Sequence, residues 1–229
     1  MGSVPDIDWS APWCAPYREV GRQVEARWRQ GEPLCEALNA LRAPDGPRFV
    51  AATAVPLRGY EQHVGRHGEV PTRENLHDLF NGLVWLTRPA LKRRLNRLHR
   101  CAPPAPPGRR GPLRDALTLL DENGALLEAP DVLWEALRAR SWDRLFGELR
   151  PLWSRSRLTL VGHGLLEQLQ QPRKPLTAHV LRAHDPLTAA ALATKPFAPL
   201  PVLGVPGWWA DNEAPAFYDD PAVFRPARR

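Results

Sequence analysis

Hydrophobic positions recur at helical spacing through much of the N-terminal half of the chain. Val20, Val24 and Trp28 are four residues apart, so residues 16–42 are predicted to form one or two helices, interrupted at Gly31. Three further helices are predicted over residues 58–67, 72–87 and 91–99. The helix predicted over 72–87 has the clearest signals. Thr72 is its N-cap, an arginine and a proline end it, and its apolar stripe consists of Leu76, Leu79, Phe80 and Leu83.

Short apolar runs without that spacing predict a few strands. Residues 49–55 and 157–161 fit single strands, and residues 115–128 fit a hairpin. In the hairpin two leucine-rich runs flank Asp121-Glu-Asn-Gly124, and Asn-Gly is typical of tight turns. We therefore interpret Asp121 as a turn residue. Helices are also predicted over 131–139, capped by Asp131, over 142–153, capped by Ser141, and over 165–170.

Proline punctuates the rest of the chain, which holds 26 prolines in 229 residues. Residues 102–112 are predicted to form an exposed Pro-rich loop, and residues 196–229 an extended C-terminal wrapping segment. The wrap is expected to be integral to the fold because disordered tails contain few aromatic residues, whereas this one carries Trp208, Trp209, Phe217, Tyr218 and Phe224. The predicted class is α+β: a mostly helical single domain over residues 1–229, with a small sheet or hairpin.

Composition excludes several classes of protein. No apolar stretch approaches the length of a membrane span, and no leader is visible, so we expect a soluble, cytoplasmic protein. Three cysteines without a Cys-x-x-Cys pair support neither a disulfide framework nor a zinc ribbon. Signatures of P-loop, Rossmann, zincin and α/β-hydrolase proteins are also missing.

Positive charge is concentrated in one region of the chain. The formal net charge is +6, and between Asp78 and Asp115 nine basic residues occur without an acidic one. Two interpretations stay open for residues 88–114: a solvated basic face, or a surface that binds nucleic acid or an acidic protein.

Three groups of polar residues are candidates for chemistry. His77, Asp78 and Asn81 fall on the polar side of the helix predicted over 72–87, where a histidine can act as a base or a metal ligand. His163 and Glu167 are one helical turn apart after a strand, and His179 offers a further nitrogen. Each of these two groups is also compatible with an ordinary solvated helix face. The third group, Arg114 and Asp115, suits the binding of an anion.

Several longer stretches resemble an uncharacterised proteobacterial family, the domain of unknown function 3025. They include Thr72 to Trp85, Arg114 to Gly124, Gly162 to Glu167, Arg173 to His179, and Gly204 to Phe224. The resemblance covers most of the chain and implies a bacterial protein. It carries no catalytic role with it.

We expect the three polar groups to meet in one pocket, because each borders a strong apolar run and such edges meet around a shared core. The predicted site is His77, Asp78, Asn81, Arg114, Asp115, His163 and Glu167. There a histidine would act as base or ligand, a carboxylate would orient it, and Arg114 would hold an anionic small molecule. This predicts a hydrolytic or metal-assisted enzyme; the alternatives are a binding module using residues 88–114, and a polar network that only stabilises the fold. The sequence names no cofactor and no oligomeric state.

Overall fold

The computed structural model describes residues 4, 6–54, 59–104 and 111–227. Helices predominate in them and strands form two small sheets, which confirms the α+β class. None of the helices in these residues combines the length and apolarity needed to cross a membrane. The elements, in chain order, are α1 (Arg18–Arg29), α2 (Leu34–Asn39), β1 (Arg48–Ala51), α3 (Tyr60–His67), β2 (Glu69–Thr72), α4 (Leu76–Thr87), α5 (Pro89–Cys101), α6 (Pro112–Asn123), β3 (Gly124–Glu128), α7 (Asp131–Arg138), β4 (Arg157–Leu160), α8 (His163–Gln168), β5 (Thr177–Arg182), α9 (Ala189–Ala193) and β6 (Ala198–Pro201).

The chain forms two compact units. Unit 1 comprises Met1–Ser10, Cys14–Thr118 and Leu187–Thr194. Unit 2 comprises Ala11–Trp13, Leu119–Pro186 and Lys195–Arg229. A single domain over residues 1–229 stays a prediction. The predicted loop over 102–112 falls largely outside the described residues, since 105–110 are not among them.

Unit 1 joins its helices to a two-stranded parallel sheet of β1 and β2. The helices predicted over 16–42 and 91–99 are confirmed as α1, α2 and α5. The helix predicted over 58–67 is α3, which ends at Gly68 in the left-handed conformation (φ 65°) that glycine adopts readily. Position 58 lies outside the described residues. The strand predicted over 49–55 ends at Ala51, because a 3-10 turn follows over Ala52–Ala54; position 55 lies outside the described residues.

The start of α4 differs from the prediction. Thr72 does not cap the helix; it is the last residue of β2, and its hydroxyl donates to the Val70 carbonyl. Asn75 is the N-cap, with its side-chain oxygen accepting the backbone N–H of Asp78 at 2.8 Å. Both residue types cap helices well, and pairing of β2 with β1 excludes Thr72 from that role.

The predicted hairpin over 115–128 is wrong. Its first half is the helix α6, and only its second half is a strand, β3. Leu113, Ala116, Leu117 and Leu120 are all buried at helical spacing, which outweighs the strand-like run of leucines. The Asn123-Gly124 pair marks the change from helix to strand, so Asp121 and Glu122 lie on the last turn of a helix and not in a hairpin turn.

Unit 2 is built on a four-stranded mixed sheet in the order β4-β3-β5-β6. β3 is antiparallel to β4 and parallel to β5, and β6 is antiparallel to β5. β4 confirms the strand predicted over 157–161. β6 lies within residues 196–229, which are predicted as an extended wrap, and β5 is a strand that the sequence does not predict. β6 is an edge strand, which is where a sheet tolerates prolines such as Pro199 and Pro201.

The two helices predicted before β4 are confirmed in part. Residues 131–138 form α7, but its N-cap is Pro130, and Asp131 lies in the first turn, where the helix dipole favours an acid. Residues 142–153 do not form one regular α-helix. The segment contains a π-helical turn over Arg144–Glu148 and a 3-10 helix over Arg150–Arg155.

The C-terminal segment packs through its aromatic side chains. Phe217 and Phe224 are buried, and Trp208 and Trp209 are half-buried. The amine of Lys174 lies 4.4 Å from the ring centroid of Phe217 and 3.2 Å from a carboxylate oxygen of Asp220. This cation therefore contacts an aromatic face and an acid of the segment at once.

Replacement of Asp220 by Asn should lower stability in a pH-dependent way. The hydrogen bond with Lys174 holds the pKa of Asp220 below its ordinary value of 3.8. A carboxyl group with a lowered folded-state pKa stabilises the fold above its unfolded pKa, and that stabilisation is lost as the pH falls through the folded value. Urea unfolding should therefore show wild type slightly more stable than Asp220→Asn at neutral pH.

The difference should vanish in strong acid. Asp219→Asn removes the same charge from the neighbouring, exposed position and serves as the control. A stability difference between wild type and Asp220→Asn that stays constant down to the acid limit would contradict the assignment.

Candidate active site

His163 lies in a turn that is bracketed by two glycines. β4 ends at Leu160, and α8 begins at His163. A Cβ on Gly162 would lie 2.4 Å from the backbone nitrogen of Gly124 and 2.6 Å from the Cα of Asn123. The backbone N–H groups of Val161 and Gly162 both donate to the Gly124 carbonyl at 2.9 Å. Only a residue without a side chain allows this approach to the end of α6.

The second glycine admits an acidic side chain. A Cβ on Gly164 would lie 2.7 Å from Oε2 of Glu122. Glu122 and its neighbour Asp121 occupy the last turn of α6. The sequence Gly-His-Gly thus brings a buried imidazole to the acidic end of a helix.

The imidazole of His163 lies between the two carboxylates. Its Nδ1 is 3.8 Å from Oδ2 of Asp121, and its Nε2 is 3.6 Å from Oε2 of Glu122. The His163 side chain is 6% exposed, against 19% for Asp121 and 38% for Glu122. Each ring nitrogen therefore has its own carboxylate, one of them open to solvent.

Both separations are longer than a hydrogen bond, and one of them suits a shared metal ion. Zinc binds nitrogen and oxygen ligands at about 2.0–2.2 Å, so two ligands at a tetrahedral angle lie about 3.4 Å apart. The 3.6 Å between Nε2 of His163 and Oε2 of Glu122 is close to that separation. Asp121, beside the other nitrogen, has the position from which carboxylates orient metal-binding histidines.

The remaining candidates of unit 2 lie close in the chain to this group. Glu167 is half-buried on α8, one turn after His163. His179 is paired in register with Gly124 across β5 and β3, and its ring meets Phe197 edge-on at 6.0 Å.

In unit 1, Asp78 stabilises the beginning of α4. It is buried, and its Oδ2 accepts the backbone N–H of Arg73 at 2.6 Å and the Arg73 Nε at 3.0 Å. The Arg73 Nη2 donates to the other oxygen at 2.8 Å. These bonds fix the chain where it enters the helix, directly beside His77.

The other two α4 candidates have different environments. Asn81 is buried, and its amide nitrogen donates to the Tyr60 hydroxyl at 3.1 Å. Its side-chain oxygen has no hydrogen-bond partner among the described residues. His77 is half-buried on the first turn of α4.

Arg114 and Asp115 lie in the first turn of α6, two turns before the carboxylates beside His163. Both are half-buried. The Nε of Arg114 is buried, and no described residue accepts a hydrogen bond from it. The structure tests neither the predicted catalytic roles of the seven residues nor their meeting in one pocket, and both stay predictions.

The comparison with known families agrees with the resemblance seen in the sequence. The model of a family described as "Protein of unknown function (DUF3025)" matches residues 47–191 and 183–228. The chain belongs to this family. No curated protein and no solved structure matches it. Membership of the DUF3025 family indicates no reaction, so the evidence for a function comes from the residues themselves.

Asp121 and Glu122 are the site residues that sequence reasoning missed in this DUF3025 chain. The sequence alone predicts both in a hairpin turn, without a chemical role. Helical spacing of Leu113, Leu117 and Leu120 was the signal that could have placed them on a helix.

The basic region is only partly available to a ligand. Lys92 is buried, with its amine 5.6 Å from the ring centroid of Trp85. Arg94 is half-buried and donates to the Leu187 carbonyl at 2.8 Å. Arg93 and Arg97 are exposed on α5. Nucleic-acid or acidic-protein binding by residues 88–114 stays a prediction.

Replacement of Gly162 by Ala should destabilise the protein. Its Cβ would collide with backbone atoms, which cannot rotate away, and forced overpacking costs about 1–3 kcal/mol. Gly147→Ala is the matched control, since nothing lies within 4 Å of its added Cβ, and it should stay within about 0.5 kcal/mol of wild type. Chemical denaturation measures both, and equal stabilities for the two variants would contradict the close approach.

Proposed function

We propose that this protein is a metal-dependent hydrolase of an anionic substrate, with Glu122 and His163 as two of its metal ligands. The observation that carries the proposal is the 3.6 Å separation between the His163 Nε2 and the Glu122 Oε2, too long for a hydrogen bond and suited to a shared zinc ion. Burial of His163 favours this interpretation over a solvated ion pair, because a fixed imidazole is a preorganised ligand.

Asp121 has a positioning role in this proposal. A carboxylate beside Nδ1 holds the imidazole in the tautomer that leaves the Nε2 lone pair free for a metal ion. The Nδ1 of His163 and the Oδ2 of Asp121 are 3.8 Å apart, and we expect this separation to shorten to a hydrogen bond when a metal ion binds.

A catalytic zinc site has three protein ligands and one position for water. We assign the third ligand to His77, which the sequence analysis groups with His163. The bonds between Asp78 and Arg73 fix the first turn of α4, so the backbone at His77 is held in place. The metal would supply an activated water as the nucleophile.

The anionic character of the substrate rests on Arg114. A guanidinium nitrogen that is buried and lacks a partner among the described residues is a donor suited to a carboxylate or phosphate. In this proposal Asn81, Asp115 and Glu167 belong to the same pocket, as groups that bind the substrate or transfer a proton.

Replacement of His163 by Gln should abolish metal binding. Purified wild type, dialysed against zinc and then against buffer, should retain about one equivalent by elemental analysis. His163→Gln and Glu122→Gln should each retain less than about a tenth of that, because each removes a ligand. His184→Gln is the control, since His184 is exposed and should leave the zinc content unchanged.

The same measurement tests His77. Zinc retained by His77→Gln at the wild-type level would remove His77 from the site while leaving Glu122 and His163 in it. Zinc binding that is absent from wild type, or equal in wild type and His163→Gln, would overturn the proposal as a whole. Melting temperatures of all variants separate loss of a ligand from loss of the fold.

Replacement of Asp121 by Asn should weaken zinc binding without abolishing it. Carboxylates that orient a ligating histidine contribute about 10–100-fold to metal affinity. Competition with a chromophoric chelator measures the dissociation constant of each variant. An affinity equal to that of wild type would show that Asp121 does not orient His163, and complete loss would show that it is itself a ligand.

A further inference from the structure

Unit 1 contains a cavity with an unusual concentration of arginine. It has a volume of about 310 Å³ and lies between α5 and the segments around Gly46 and Gly65. Its lining includes Trp85, Arg93, Arg97 and Arg100. The volume is at the lower end of the range for small-molecule sites, about 300–1,000 Å³.

The three arginines present one face of α5. They are spaced at i, i+4 and i+7, so their side chains are neighbours on the helix surface. In the part of the chain that the structure describes, none of the three forms an ion pair. Arg93 reaches only the Asp45 carbonyl, at 3.5 Å, and Arg100 only the Gly65 carbonyl, at 3.2 Å. Like charges at this spacing destabilise a helix, and a bound anion would remove that cost.

One acidic residue, Asp45, also lines the cavity. It is exposed, and the contact it makes with the Arg93 guanidinium is through its backbone oxygen. The lining therefore holds three positive charges against one negative charge.

A buried donor in the lining has no acceptor. Trp85 is 3% exposed, and its indole Nε1 has no hydrogen-bond partner among the described residues. Tryptophan nitrogen only donates, and a buried donor without a partner costs about 1–3 kcal/mol. An acceptor from a ligand would satisfy it, and this is independent of the arginine charges.

The side chain of Arg100 packs against Gly65 of α3. A Cβ on Gly65 would lie 2.3 Å from the Arg100 Nη1 and 2.4 Å from its Cδ, so the side chain packs directly against the backbone of α3. This contact fixes one guanidinium at the cavity wall, which lowers the entropy cost of binding a ligand there.

We infer that this cavity is a second site that binds the phosphate group of a small molecule. Arg93, Arg97 and Arg100 supply the positive charge, and Trp85, another lining residue, supplies an indole N–H that has no acceptor among the described residues. The site is independent of the proposed metal centre and shares no residue with it. The small volume favours a compact phosphorylated ligand over a polymer that must continue past the walls.

Calorimetric titration of the full chain with pyrophosphate, at low salt, tests the inference. Wild type should bind pyrophosphate at this cavity. Arg97→Ala should weaken binding at least about tenfold, because a hydrogen bond to a charged group contributes about 1.5–3 kcal/mol. Arg97 is exposed and makes no hydrogen bond or ion pair in the described chain, so the variant should fold as wild type does.

Two further variants complete the experiment. Arg22→Ala removes an exposed arginine of α1, far from the cavity lining in sequence, and should bind as wild type does. Trp85→Phe keeps an aromatic ring but removes the N–H, and should also weaken binding at least about tenfold. Circular dichroism of each variant shows whether it is folded.

Equal affinities for wild type and folded Arg97→Ala would overturn the inference, as would no binding of pyrophosphate by wild type at low salt. A single-stranded oligonucleotide supplies the remaining arm. Oligonucleotide binding that exceeds pyrophosphate binding and is lost in Arg97→Ala would assign the surface to nucleic acid instead, and overturn the small-molecule site.

Discussion

The contact on which the candidate active site depends is the close approach between the Gly162 turn and the junction of α6 with β3. One carbonyl, that of Gly124, accepts the N–H groups of both Val161 and Gly162. Antiparallel pairing of β3 with β4 continues from this point, so the sheet and the site share an origin. A side chain at Gly162 would separate the two segments and with them His163 from its carboxylates.

Helices were predictable from the sequence wherever one apolar face was continuous. Spacing alone predicts α1, α4 and α5. A buried face that repeats every 3.6 residues is typical of a helix, whereas a strand buries every second residue. The sequence predicts a strand where α6 lies, because three of the five residues from Ala116 to Leu120 are leucines and leucine is common in helices and strands alike. Leu117 and Leu120 are both buried on one face of the segment, which favours the helix. That burial depends on tertiary packing and cannot be seen in a short stretch of sequence.

The sequence predicts the histidine of the candidate site, His163, but not its carboxylates, Asp121 and Glu122. His163 stood out because glycines flank it after a strand. Asp121 and Glu122 come from a helix about 40 positions earlier, and only the pairing of β3 with β4 brings them to it. β5, which neighbours β3 on its other side, was hidden in turn by prolines on both sides of it in the sequence.

Compensation of charge distinguishes the polar residues that hold this fold from those available for a ligand. Asp78 accepts three hydrogen bonds from Arg73, so its charge is used inside unit 1. The indole Nε1 of Trp85 and the Nε of Arg114 are buried and have no hydrogen-bond partner among the described residues, so these two donors are not used in that way. Since a folded chain ordinarily pairs its buried donors, these two nitrogens are where a bound anion contributes most to stability. The same physical test therefore supports an anionic ligand at each of the two proposed sites, a substrate beside Arg114 and a phosphate group beside Trp85.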